Sequence, residues 1–166
     1  AGMKLDKRIG EKAFLDASAG YGGSCFPKDV KGLIDMGKQN RVKMSMLLAA
    51  EEINGRAYKN IIEKINKMMP KLENKTIAIW GIAFKPHTDD IRLSPAVDII
   101  KWLLSQKSHV KAYDPIAEDN ARKIFPKIGY ANSPYEAAAT ADLVIALTPL
   151  DELKAIDLKK IKILFF

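Results

Sequence analysis

Apolar residues recur at two different periods along this chain. Between Arg41 and Met69, the positions Met44, Leu47 and Leu48, and then Tyr58, Ile61, Ile62, Ile65, Met68 and Met69, recur at spacings of three and four. That is the stripe of an amphipathic helix, with Lys59, Lys64 and Lys67 off the stripe. At 1.5 Å per residue the helix is roughly 40 Å long. Gly55 weakens it by about 1 kcal/mol relative to alanine, and Pro70 stops it. No second helix follows, so the stripe needs a cover from elsewhere. A second subunit is the preferred partner, ahead of another domain.

From Asn74 onward short apolar runs alternate with helical segments. Thr76-Ile77-Ala78-Ile79-Trp80-Gly81 reads as a fully buried strand. Ser94-Pro95 opens a helix, serine capping it and proline filling the first position. A strand over 110–113, a turn at Asp114-Pro115, a helix over 117–124 and a helix from Ser133-Pro134 to Ala139 follow. The apolar strand Leu143–Leu147, a short helix over 150–155 and a strand over 161–166 complete the pattern. Strands alternating with helices predict an α/β fold with a doubly wound parallel sheet. Ligands of such sheets lie beyond the C-terminal ends of the strands, and the loop after Gly81 is at one of them.

Three regions result: 1–40, part of an all-α domain carrying a cysteine loop; 41–72, a long connecting and dimerising helix; and 73–166, a Rossmann-like α/β domain. The abrupt apolar finish Ile163-Leu164-Phe165-Phe166 and the Ala-Gly-Met start suggest a chain cut at both ends. About half of the 166 residues are apolar and about a quarter charged, as in globular proteins. The net charge of +7 is dispersed, which disfavours a nucleic-acid groove and suits an anionic small molecule. No apolar run is long enough to span a bilayer, and no export signal is present, so a cytoplasmic setting without membrane contact is expected.

Cys25 is the one cysteine. It has no disulfide partner, and no Cys/His cluster has metal-ligand spacing, so no metal is expected. Its surroundings are Gly20-Tyr21-Gly22-Gly23-Ser24-Cys25-Phe26-Pro27-Lys28-Asp29-Val30. Three glycines in four positions let backbone approach a ligand closely. Pro27 suits a first helical turn, and 28–36 reads as that helix. The cysteine then sits at a helix N-terminus, whose partial charge favours the nucleophilic form, with Lys28 adding a cation and Asp29 one turn on. A sulfur nucleophile beside a carboxylate can attack a carbonyl and later direct water at a thioester. The alternative reading is a glycine-rich turn capping a helix, with the cysteine inert. Neither His87 nor His109 is near Cys25 in sequence, which leaves a Cys–His pair little support.

That eleven-residue string resembles the active-site signature of the UDP-glucose/GDP-mannose dehydrogenase family. Asp6-Lys7-Arg8-Ile9-Gly10 resembles the family's substrate-contacting Asp-x-Arg-Ile-Gly, and the stretch from Gly81 to Pro95 resembles the start of its nucleotide-binding domain. Phe26-Pro27 is more similar to the UDP-glucose members than to the GDP-mannose members, where leucine is usual at the first position. The resemblance implies NAD-dependent oxidation of a sugar C6 alcohol to a carboxylate in two steps. It implies Cys25 as the nucleophile that forms a thiohemiacetal and then a thioester, and Asp29 as the group that positions or activates water. Phe14, Leu15, Asp16, Ala17, Ser18, Tyr21 and Gly22 would line the nucleotide-sugar pocket. Phe84 and Lys85 would reach the substrate from the α/β domain, and Arg8 would contact a neighbouring subunit's substrate. Lys28 and Arg92 would face NAD. The implied partners are a UDP-sugar and a second copy of the chain, paired through the long helix.

This sequence departs from the family pattern in having no Gly-x-Gly-x-x-Gly fingerprint. A lysine and an asparagine used in catalysis would lie before Ala1, and a substrate-contacting arginine would lie after Phe166. The chain alone is therefore expected not to turn over. A non-catalytic nucleotide-sugar-binding and dimerising module is the rival reading. GDP-mannose and UDP-N-acetylhexosamine remain alternative substrates.

Overall fold

The strand Thr76–Trp80, β1, is the centre of the molecule, and its alternation decides what lies on either side. Ile77 and Ile79 face one core, together with Leu143, Ile145, Val110 and Ala112. Ala78 and Trp80 face the other, with Val144, Ala146 and Tyr113. Both faces are apolar because helices cover both, as a parallel sheet requires. The structure is a computed structural model that describes residues 2–10, 13, 18–157 and 163–165.

After a 3-10 turn at Gly2–Leu5, the described elements in chain order are α1 (Phe26–Gln39), α2 (Ser45–Met68), β1, α3 (Pro95–Ser105), β2 (His109–Tyr113), α4 (Glu118–Ile124), β3 (Gly129–Tyr130), α5 (Pro134–Ala138), β4 (Leu143–Ala146), a 3-10 turn at Asp151–Ala155, and β5 (Ile163–Phe165). The sheet order is β3-β2-β1-β4-β5, and every pairing is parallel. This is the expected α/β fold, with the long helix ahead of it and a partial helical region ahead of that.

α3 starts where the Ser94-Pro95 pair predicts: the buried Ser94 hydroxyl accepts from Ala96 N at 3.2 Å and donates to the Ile82 carbonyl at 2.7 Å. α2 begins later than the apolar stripe suggests, at Ser45 rather than Arg41. Arg41 adopts a left-handed φ of 56°, and Val42 N bonds back to the Gly37 carbonyl, so α1 closes with a turn that consumes residues 41–44. Only the second half of α2 is anchored in the core, through Ile61 and Ile65. Its first half leaves Met46, Leu48 and Ile53 exposed. The two-residue strand β3 was not expected; so short a ladder carries no period to read.

Two features fix the loop that leaves β1. Asp114, buried at the end of β2, accepts from Ile82 N and Ala83 N at 2.7 and 3.1 Å through one oxygen. Its other oxygen accepts from Ile116 N and Ala117 N at 3.0 and 2.8 Å, opening α4. Thr148, just past β4, donates its hydroxyl to the Ala83 carbonyl at 2.7 Å. The loop carrying Phe84 and Lys85 is thus tied to three strand ends.

Candidate active site

Cys25 is exposed and is the N-cap residue of α1, with Pro27 in the first turn. Its carbonyl accepts from Asp29 N at 2.9 Å, which starts the helix, and α1 runs three residues past the expected end of 36. The Ser24 hydroxyl is 3.7 Å from the sulfur.

The cysteine loop lies on the α/β domain. Gly23 N donates to the Arg92 carbonyl at 2.9 Å. A Cβ at Gly22 would stand 2.2 Å from the Leu93 carbonyl oxygen, and one at Gly23, where φ is +86°, would stand 2.8 Å from the Phe84 ring. These two glycines are needed because backbone meets backbone and ring here with no room for a side chain. Lys85 extends beside this contact, its Nζ 5.3 Å from the Phe84 ring centroid. The expected residues Gly22, Phe84 and Lys85 are therefore brought together, with Cys25 three residues past Gly22 in the chain.

Charge converges on the same spot from both sides. Arg92 closes on Asp90 through two hydrogen bonds of 2.9 and 2.8 Å. That pairing holds the Arg92 guanidinium above its ordinary value, and the charge of Cys25 adds a smaller push in the same direction. Asp90 is correspondingly lowered to about 2, by the Arg92 hydrogen bond first, with the Ser24 hydroxyl contributing least. Lys28 pairs with Asp29 at 3.1 Å, and its ammonium is raised, mainly by Asp29 and slightly by Cys25. A cation from α1 and a cation from the α/β domain thus both sense the sulfur.

Other expected residues sit elsewhere. Tyr21 turns its hydroxyl to Glu51 on α2 and stacks edge-on against Phe26, ring centroids 4.9 Å apart. Burial, then the Glu51 hydrogen bond, push its phenol up to about 12. Ser18 is exposed and hydrogen-bonds Gly20. Arg8 closes on Asp6 at 3.0 and 2.8 Å, the same Asp-x-Arg clasp that Asp90 and Arg92 form, and among the described residues no hydrogen bond or ion pair joins it to the Cys25 loop. Phe14, Leu15, Asp16 and Ala17 lie outside the described residues.

Several residues that shape the site escaped the sequence reading. Asp114 was read only as a turn with Pro115, and Asp90 was given no role of its own. The second Asp-x-Arg spacing was the available signal for Asp90. Glu51 and Asn54 gave none, since their partner Tyr21 lies about thirty residues away in the chain.

A dinucleotide cradle is not formed at β1. The Ile82 and Ala83 amides at its C-terminal end are taken by the Asp114 carboxylate. A Rossmann diphosphate needs such amides and a helix N-terminus directly after the strand, whereas α3 begins only at Pro95 and is capped by Ser94. The residues present there do not fit NAD. Among the described residues, no group of three or more His, Cys, Asp or Glu side chains is placed to hold a metal ion. No described helix is long and apolar enough to cross a membrane.

Comparison with known proteins adds the lineage. The chain is 40% identical over 164 residues to the UDP-glucose 6-dehydrogenase TuaD of Bacillus subtilis, covering 98% of this chain and 35% of that protein. It is 41% identical over 153 residues to the UDP-glucose 6-dehydrogenase AglM of Haloferax volcanii, covering 92% of this chain and 35% of that one. A UDP-glucose dehydrogenase structure from Pyrobaculum islandicum superposes with a TM-score of 0.91 at 29% identity, over 99% of this chain and 38% of that chain. The chain thus spans little more than a third of the length of these relatives. Residues 1–56 match the central domain, and residues 78–165 the UDP-binding domain, of one group of enzymes. On these matches, the chain belongs to the UDP-glucose/GDP-mannose dehydrogenase family.

Proposed function

We propose that this chain carries the nucleophilic cysteine and the UDP-sugar-facing part of an NAD-dependent UDP-glucose 6-dehydrogenase, and that by itself it does not turn over. One observation carries the reading: an exposed cysteine caps α1 on a glycine loop docked against the UDP-binding domain, within electrostatic reach of Lys28 and Arg92. The relatives named UDP-glucose 6-dehydrogenase support the choice of sugar nucleotide.

In this proposal the sugar C6 alcohol first loses a proton and a hydride to give an aldehyde; the Cys25 sulfur adds to the aldehyde carbon, forming a thiohemiacetal, and water later cleaves a thioester at the same sulfur to give a carboxylate and the thiol. Asp29, at the first turn of α1, takes the proton of that water. A hydride must leave in forming the aldehyde and again between thiohemiacetal and thioester, and no described residue accepts either. NAD is the proposed acceptor, with its main cradle elsewhere than at β1. Lys28 and Arg92 are proposed to face its phosphates or ribose. Lys85, Phe84, Gly22, Ser18, Tyr21 and residues 14–17 are assigned to the UDP-sugar, and Arg8 to the substrate of a neighbouring subunit.

The division into 1–40, 41–72 and 73–166 is part of the same proposal, as is a homodimer. Met46, Leu48 and Ile53, exposed on the unanchored half of α2, support that pairing. A reducing cytoplasm suits the lone thiol.

The test is ligand protection. UDP-glucose slows iodoacetamide labelling of Cys25 while GDP-mannose does not, and the chain with NAD and UDP-glucose gives no steady NADH. Labelling that ignores UDP-glucose, together with no binding heat in calorimetry, defeats the proposal. Binding heat without any effect on Cys25 labelling favours the non-catalytic module.

A further inference from the structure

We propose that Asn54, aided by Glu51, is a positioning residue that holds the Cys25 loop through the main chain of Tyr21; this rests on Cys25 being the nucleophile. The side chain of Asn54 meets both polar groups of one residue. Its Oδ1 accepts from Tyr21 N at 2.7 Å and its Nδ2 donates to Tyr21 O at 3.2 Å. Three residues before it, one helical turn away, Glu51 accepts the Tyr21 hydroxyl. An amide side chain thus pairs with loop backbone as a neighbouring strand would.

On this side, among the described residues, the loop is held by the burial of Ala19 in the core cluster and by the hydrogen bonds of Asn54 and Glu51. It is rich in glycine, so its backbone has the most freedom to lose on ordering. Behind it lies a cavity of about 280 Å³, lined by Ala19, Tyr21, Pro27, Glu51, Asn54 and Tyr58 among others. Apolar packing does not fill the space between loop and α2, and the polar contacts of Asn54 and Glu51 span it. The opposite side is held by Gly23 on Arg92 and by the Phe84 ring. Cys25 follows both attachments in the chain, four residues past Tyr21 and two past Gly23. Asn54 and Glu51 themselves lie on the first half of α2, whereas the residues that α2 buries in the sheet core, Ile61 and Ile65, lie on its second half. Their role is therefore toward the loop.

Amide hydrogen exchange of the 166-residue chain, unaltered and as Asn54→Ala and Asn54→Asp, tests this. In Asn54→Ala the Tyr21 amide exchanges about tenfold faster or more, the factor that loss of two such hydrogen bonds gives. The β1 amides from Ile77 to Trp80 keep their rates. Asn54→Asp, whose carboxylate still accepts from Tyr21 N but donates nothing to Tyr21 O, falls between. Iodoacetamide labelling of Cys25 in Asn54→Ala slows by about twofold to fivefold, because the sulfur leaves the first turn of α1 for part of the time. Unchanged Tyr21 exchange or unchanged labelling overturns the proposal, and so does equal acceleration at β1, which marks a role in global stability alone. If Asn54→Ala does not fold, Asn54→Asp decides by the same two readouts. UDP-glucose calorimetry on the unaltered chain judges the dehydrogenase reading separately, since the exchange result does not depend on it.

Discussion

Asp114 gives the sharpest stability prediction. Replacing it with alanine removes the acceptor of four backbone N–H groups, at Ile82, Ala83, Ile116 and Ala117. Ile116 is half exposed and can turn to water. The other three belong to buried residues, and each stranded donor costs about 1–3 kcal/mol. Removing the carboxylate also relieves a desolvation cost of several kcal/mol, and water can enter part of the space left behind. The balance predicts a loss of about 3–5 kcal/mol for Asp114→Ala. Asp114→Asn keeps one oxygen and turns an amide toward the remaining donors, so it loses about 2–3 kcal/mol. Urea unfolding followed by far-ultraviolet circular dichroism measures both, with the slope checked for two-state behaviour. A loss below about 1 kcal/mol for the alanine variant would refute the claim that this carboxylate organises the β1 loop.

Two further outcomes are expected. Because Asp90 is lowered from 3.8 to about 2, chiefly by Arg92, it stabilises the folded chain above pH 4 and loses that contribution as pH falls through that interval; in Arg92→Ala a carboxylate NMR titration moves its midpoint back toward 3.8, and an unmoved midpoint shows that Arg92 is not the cause. Gly22→Ala sets a methyl 2.2 Å from the Leu93 oxygen and dislodges the loop, so the Gly23 amide exchanges about tenfold faster, whereas Gly32→Ala, with nothing within 4 Å, stabilises by about 0.5–1 kcal/mol; equal effects of the two substitutions contradict the close approach.

What the sequence disclosed and what it withheld divide along the range of the interactions. Ser94-Pro95 announced α3 because a cap and its proline are neighbours. The four apolar residues of β4 and the four from Ile77 to Trp80 in β1 announced strands because burial on both faces leaves no polar position. The cysteine motif was legible because its glycines, Pro27 and Lys28 are contiguous. Long-range geometry was not. The start of α2 was misjudged because the left-handed turn at Arg41, just ahead of the apolar stripe, carries no glycine or proline to mark it. The motif that carries Tyr21 says nothing about the helix that its hydroxyl meets. Lys28 and Arg92 were paired with NAD by resemblance; their shared approach to Cys25 appears only once α1 and the α/β domain are packed together.

The two tryptophans stand in unlike surroundings. Trp80 is fully buried in β1 and donates its indole N–H to the Pro134 carbonyl at 3.0 Å, while Trp102 on α3 is only partly covered. The chain therefore carries its own optical gauge. With Trp102→Phe, a single shielded emitter remains, shining at short wavelength and out of reach of iodide while β1 and α5 stay joined. Its red shift reports rupture of the sheet and ignores events in the cysteine loop, so melting of the scaffold can be separated by colour from loosening of the chemistry it supports.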